Sequence, residues 1–125
     1  MSNPVKLANK NFLSSLDITT EELHHILEIA LKFKNKDLNI QLDSKVLGLI
    51  FDKSSTRTRV SFQVAMSRLG GTTIDLNPTT SQIGRGEPIK DTARVLSRYC
   101  DAIAIRTFNH SDLEEYAKWS TKPII

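Results

Sequence analysis

Two short, nearly unbroken apolar runs and one β-branched stretch alternate with stretches of helical period, and this alternation constrains the fold more than any other feature. Val46-Leu47-Gly48-Leu49-Ile50-Phe51 carries no polar side chain, Thr72-Thr73-Ile74-Asp75-Leu76 is rich in β-branched residues, and Ala102-Ile103-Ala104-Ile105 is again apolar. Such runs suit strands covered on both faces, the situation of a parallel sheet. Between them the period changes. Residues 55–69 read as a helix stopped by Gly70-Gly71. Asn77-Pro78 breaks the second strand, and residues 79–87 form a long loop with two glycines. Pro88 suits a first helical position, and Ile89, Ala93, Leu96 and Cys100 then lie on one helical face. Ser111 with Glu114 has the capping-box spacing and opens a helix through Trp119. Upstream, Thr19 with Glu22 has the same spacing and leads Leu23, Ile26, Leu27, Ala30 and Leu31, which predicts a helix over about 20–36. The first eleven residues show no period and read as an arm, and Pro123-Ile124-Ile125 begins a fourth strand. Strands alternating with helices predict an α/β fold: a doubly wound parallel sheet of about four strands with helices on both faces.

At 125 residues the chain is sized for one domain, residues 1–125, with 39% hydrophobic and 25% charged residues. No apolar run approaches the ~18–20 residues of a transmembrane helix. The start, SNPVKLANKN after Met1, is too polar for a secretory signal. A single cysteine, Cys100, excludes an internal disulfide framework and a multi-cysteine zinc site. The formal net charge of +3 suits a small anionic ligand and is too small and scattered to argue for nucleic acid. The expectation is a soluble cytoplasmic protein with no membrane partner.

The richest chemistry lies where the first strand runs into the second helix. Ser55-Thr56-Arg57-Thr58-Arg59 would present unpaired N–H groups and the positive end of the helix dipole, with hydroxyls and guanidinium groups added. The segment lacks the glycines of G-x-x-x-x-G-K or G-x-G-x-x-G, so nucleotide binding is not indicated. The plain alternative is a capped helix with solvated arginines. Arg57 and Arg59 stand about 200° apart around a helix, so only one can grip an anion. The other should pair with a carboxylate or a neighbouring segment. Arg106 closes the third strand. It is either a surface residue or a second guanidinium facing the same cleft, because ligands of open α/β sheets bind beyond the carboxyl ends of strands. The loop Ser81-Gln82-Ile83-Gly84-Arg85-Gly86-Glu87 is a lid, a contact to another subunit or a mobile connector. His24-His25 lacks the i, i+4 spacing of a metal pair, His110 precedes a helix, and Cys100 reads as a buried, inert thiol. Tyr116 and Trp119 read as packing residues.

These residues resemble the aspartate/ornithine carbamoyltransferase family. Ser55-Thr56-Arg57-Thr58-Arg59 with Val60-Ser61-Phe62 matches the family's carbamoyl-phosphate signature. Leu69-Gly70-Gly71, Asp91-Thr92-Ala93-Arg94-Val95-Leu96, Asp101 and Ile105-Arg106 fit at their expected distances. Lys53 before Ser54-Ser55, and Gln82-Ile83-Gly84-Arg85 in the loop, resemble the ornithine branch. The aspartate branch typically has Glu-Pro before its signature and a lysine in the loop. One departure is Gln63, where Glu commonly follows Ser-Phe; a carboxylate lost there alters the partner of an arginine such as Arg59.

The resemblance implies that Ser55, Thr56, Arg57 and Thr58 hold the phosphate of carbamoyl phosphate, and that Arg106 contacts the ligand near its carbonyl. It implies a homotrimer in which Gln82 reaches into an adjacent subunit's site. It also implies arginine biosynthesis, by transfer of the carbamoyl group to ornithine's side-chain amine with no metal or organic cofactor. Arg57 and Arg106 would be the catalytic pair, stabilising the oxyanion and the leaving phosphate. On this resemblance the family's His-Pro-x-Gln segment would follow Ile125 and the ornithine-binding domain is absent, so the chain reads as an incomplete carbamoyl-phosphate domain. The alternative is a stand-alone phosphate- or carbamoyl-phosphate-binding module without catalysis.

Overall fold

The computed structural model describes residues 7–51, 55–76 and 86–125. Its elements in chain order are a 3-10 turn at Ser15–Asp17, α1 (Thr20–Lys34), β1 (Val46–Phe51), α2 (Thr56–Arg68), β2 (Thr72–Leu76), α3 (Ile89–Tyr99), β3 (Ala102–Arg106) and α4 (His110–Trp119). The three strands form one parallel sheet in the order β2-β1-β3. On the outer edge of β3, Ile124 makes a single parallel bridge to Ile103. There Ile125 N–H donates to the Ile103 carbonyl at 2.9 Å, and Ile105 N–H donates to the Ile125 carbonyl at 2.8 Å. The predicted fourth strand is thus present as a bridge beside a three-stranded sheet. The predicted arm is partly tied to it: Asn11 Oδ1 accepts from Ile124 N–H at 2.9 Å, and Phe12 N–H donates to the Ile124 carbonyl at 2.8 Å.

β1 is apolar throughout because it is covered on both faces. Its Ile50 packs with Ala93, Leu96 and Cys100 from the α3 side, Ile103 of β3, Tyr116 of α4, and Ile124. The alternate residues Leu47, Leu49 and Phe51 pack with Ala104 of β3 and with Phe62 and Met66 of α2. The strand's two-residue period therefore sorts α2 to one face and α3 with α4 to the other. Leu49, Ile50, Ile103 and Ile124 are the largest fully buried side chains. At such a site Leu→Ala costs about 2–5 kcal/mol.

The helix ends show where local chemistry decided the fold. Thr19 forms the expected capping box: its hydroxyl accepts from Glu22 N–H at 3.0 Å, and Thr19 N–H donates to Glu22 Oε1 at 2.8 Å. α2 ends in a Schellman arrangement, Gly71 N–H to the Met66 carbonyl at 2.8 Å and Gly70 N–H to the Ser67 carbonyl at 3.1 Å. Gly70 sits at φ +84, and a Cβ there would collide with the Asp43 carboxylate. Two expectations shift. Pro88 is the N-cap of α3 rather than its first residue. Ser111 caps nothing: Asn109 takes the N-cap of α4, and Glu114 pairs with His110 one turn back at 3.3 Å. The capping box of Ser14 with Asp17 at the 3-10 turn was not anticipated. The apolar stripe of α1 stays outside the core, with Leu23, Leu27 and Leu31 at 43%, 52% and 58% exposure.

Candidate functional site

The strand order places a reversal between β1 and β3. From β1 the chain moves outward to β2, then crosses back to lay β3 on the other side of β1. At such a switch point the loops leaving two adjacent strands diverge and open a crevice beyond their carboxyl ends. The last residues of the two strands, Phe51 and Arg106, are direct register partners. Helix α2 starts immediately above this point, with Ser55 as its N-cap.

Ser55 is buried, at 8% exposure, and has extended φ −151 with ψ 69. Its hydroxyl does not cap the helix. It accepts instead from Arg106 Nη1 at 2.5 Å. The serine carbonyl meanwhile accepts the first helical bond, from Arg59 N–H at 3.0 Å. Among the described residues, then, no side chain caps this end of α2, and the N–H groups of its first turn point towards the crevice. Thr56, Arg57 and Thr58 are all exposed in that turn. A guanidinium, the positive end of a helix and the Ser55 hydroxyl meet there, a field suited to an oxyanion.

The two arginines of the motif separate as their spacing requires. Arg57 is exposed beside the crevice. Arg59 turns back onto the sheet: its Nε lies 3.4 Å from Asp75 Oδ2 of β2, and its guanidinium carbon 5.8 Å from the Phe51 ring centroid. The sequence pointed to a carboxylate or neighbouring segment for one of the pair; the partner is Asp75. The signal for it was a lone charge inside a β-branched strand, Thr72-Thr73-Ile74-Asp75-Leu76.

Of the predicted site residues, Ser55 and Arg106 are brought into contact, and Thr56, Arg57 and Thr58 follow as the exposed first turn of α2. Arg106 is exposed at the end of β3, as a strand-ending surface residue would be, and its Nη1 also donates to the buried Ser55 hydroxyl. Gln82 lies outside the described residues, as does most of its loop. His24 is exposed and His25 half-buried on α1, and His110 is the first residue of α4 and not part of the preceding turn. Cys100 is 2% exposed, and burial first, then the neighbouring Asp101 carboxylate, push its thiol above the ordinary range. It is packed against Gly48, where a Cβ would approach the sulfur to 3.0 Å. Tyr116 is in the core, and Trp119 carries the Lys90 and Lys118 ammonium groups at 4.4 and 5.2 Å from its ring centroid. No helix among the described residues is long and apolar enough to cross a membrane.

Comparison with known proteins adds to this geometry. The family model for the aspartate/ornithine carbamoyltransferase carbamoyl-P binding domain matches residues 10–125. The chain belongs to that family. It is 84% identical, over all 125 residues, to the ornithine carbamoyltransferase of Prochlorococcus marinus subsp. pastoris, covering 41% of that protein. Among solved structures, the ornithine carbamoyltransferase from Pyrococcus furiosus superposes with a TM-score of 0.89 at 50% identity, over 98% of this chain and 40% of that one. The enzyme from Gloeobacter violaceus gives 0.83 at 47% identity, over 94% and 38%. The chain thus spans about two fifths of the length of the curated relatives it matches. The α/β architecture with a parallel sheet is that of the family's carbamoyl-P binding domain.

Proposed function

We propose that residues 1–125 are the carbamoyl-phosphate domain of an ornithine carbamoyltransferase acting in arginine biosynthesis. In this reading Ser55, Thr56, Arg57 and Thr58 hold the phosphate, and Arg106 lies over the carbonyl. The observation that carries it is the contact of Arg106 with the uncapping hydroxyl of Ser55 at the β1/β3 reversal. It sets a guanidinium beside the open end of a helix where strands deliver ligands.

The chemistry follows from the charges. The neutral side-chain amine of ornithine adds its lone pair to the carbonyl carbon. The carbonyl oxygen becomes an oxyanion, and Arg106 is placed to stabilise it. Collapse breaks the bond from that carbon to the phosphate oxygen, which leaves with the electron pair. Arg57 and the first-turn N–H groups offset the charge that builds on the leaving group, and the proton shed by nitrogen leaves with phosphate. The product is citrulline. Residues outside these 125 would hold ornithine, and Gln82 would complete the site of an adjacent subunit in a cytoplasmic homotrimer.

Isothermal titration with carbamoyl phosphate or phosphate tests the anion half. Arg57→Ala should weaken binding by about 1.5–3 kcal/mol, the range for a hydrogen bond to a charged group. Equal affinity in wild type and variant would remove the cradle.

A further inference from the structure

Asp75 occupies an unusual place. It stands within β2 opposite Leu49 of β1, and Leu49 packs on the α2 side of the sheet. Register partners in a parallel pair share a face, so Asp75 also faces α2. Aspartate is disfavoured in strands, and a carboxylate turned towards a covering helix loses hydration unless a cation meets it. Arg59 is that cation. Both side chains are about one-third exposed, at 29% for Arg59 and 34% for Asp75. The guanidinium Nε itself is inaccessible to solvent and makes no hydrogen bond among the described residues. Its compensation is therefore the Asp75 charge 3.4 Å away.

Arg59 connects three parts of the crevice at once. Its backbone N–H bonds the carbonyl of the N-cap Ser55 at 3.0 Å. Its guanidinium lies over Phe51, the last residue of β1, whose register partner is Arg106. Phe51 in turn meets Phe62 of α2 edge-on, with ring centroids 6.4 Å apart. Arg59 thus ties the first turn of α2 to the sheet, alongside the packing of Phe62 and Met66, and that arginine is held by one carboxylate. On α2 itself the residue one turn beyond Arg59 on the same face is Gln63, which is neutral.

We infer that Asp75 is a positioning residue for the anion crevice: from β2 it anchors Arg59, and through Arg59 the first turn of α2, in the role a carboxylate at position 63 would otherwise fill. The inference rests on the anion reading of the crevice given above. It assigns Asp75 no contact with the ligand.

The test uses the 125-residue chain and inorganic phosphate as the probe. Three proteins are titrated calorimetrically under conditions where each is fully folded, and their urea midpoints are measured: wild type, Asp75→Asn, and Asp75→Asn with Gln63→Glu. The single variant should bind phosphate about fivefold more weakly and unfold at lower urea, at the upper end for a part-exposed pair. The double variant should return to within about twofold of wild-type affinity, because Glu at i+4 resupplies the charge along the helix. A purely structural role for Asp75 would lower the midpoint and leave the affinity of the folded protein unchanged, and that result overturns the inference. So does a folded double variant with no recovery of affinity. Failure of the anion reading is a different result, seen as phosphate affinity indifferent to Arg57→Ala. The Arg59–Asp75 pairing is then overturned if Asp75→Asn leaves the urea midpoint unchanged.

Discussion

Replacing Arg57 and Arg59 separately by alanine should produce opposite losses. Arg57 is exposed and lies in the uncapped first turn of α2, so its removal should change stability by no more than about 0.5 kcal/mol, as for surface positions generally. It should cost about 1.5–3 kcal/mol of anion affinity, roughly tenfold to a hundredfold. Arg59 is 29% exposed, paired with Asp75 at 3.4 Å and set over the Phe51 ring at 5.8 Å. A part-exposed ion pair contributes about 0.2–1 kcal/mol and a cation–π contact about 0.5–1 kcal/mol. The aliphatic stem adds packing against the sheet. Arg59→Ala should therefore lower stability by about 1–2 kcal/mol and reduce affinity several-fold at most, through loss of position and not of a ligand contact. Urea midpoints at constant slope and calorimetric phosphate titrations on the same preparations give both quantities. A large affinity loss with unchanged midpoint for Arg59→Ala, or the reverse for Arg57→Ala, would show that the two facings have been assigned the wrong way round.

Other outcomes follow from individual contacts. Ser55→Ala should destabilise α2 by less than the ~1 kcal/mol usual for an N-cap, because its hydroxyl bonds Arg106 and not the helix; a full capping loss in the urea midpoint would contradict this. Gly70→Ala should be destabilising, since φ +84 and the Asp43 carboxylate leave no room for a methyl group; an unchanged melting temperature would count against it. The backbone bond from Thr19, and then Lys10, hold the Glu22 carboxyl below its ordinary value of 4.5. Its folded pKa is thus depressed, so the stability it contributes is present above about 4.5 and is lost as pH falls through the lower folded value. Glu22→Gln should flatten that part of the stability–pH curve, and an identical acid limb in both proteins would argue against the capping box. In a full-length protein carrying these residues, Gln82→Ala mixed with Arg106→Ala should recover citrulline formation, because some sites of a mixed trimer receive both intact side chains. No recovery despite confirmed subunit exchange would oppose shared sites.

β1 was legible because burial on both faces leaves an unbroken apolar run, and the largely exposed β2 because of its β-branched residues; they occur at Val46–Phe51 and Thr72–Leu76 as expected. The crevice was legible for a related reason. Ser55 and Arg106 each stand at a strand's carboxyl end, and only the order of strands, which sequence does not print, was needed to bring them together. What stayed hidden depended on competition between neighbours. Asn109 displaced Ser111 as a cap because either could start α4, and the apolar spacing fits both registers. The Ser55 hydroxyl was read as an anion ligand with helix capping as the plain alternative, and it accepts from a guanidinium 51 positions away. The sequence left a carboxylate or a neighbouring segment as the partner of the second arginine, and naming Asp75 required the β1–β2 register. The stripe on α1 gave the helix from its period and left its burial open, since period records which residues share a face and not what covers it.

The central claim is that the open end of α2, with Arg106 beside it, receives the phosphate of carbamoyl phosphate. Amide and guanidinium resonances report on it directly. Titration of the isotopically labelled chain with carbamoyl phosphate, and separately with phosphate, should shift the N–H signals of Thr56, Arg57 and Thr58 together with the side-chain N–H of Arg106. All should saturate along one binding curve, while the α1 amides stay in place. Shifts that never saturate, or that centre on α3 and α4 and leave Thr56 to Thr58 and Arg106 unmoved, would contradict the account.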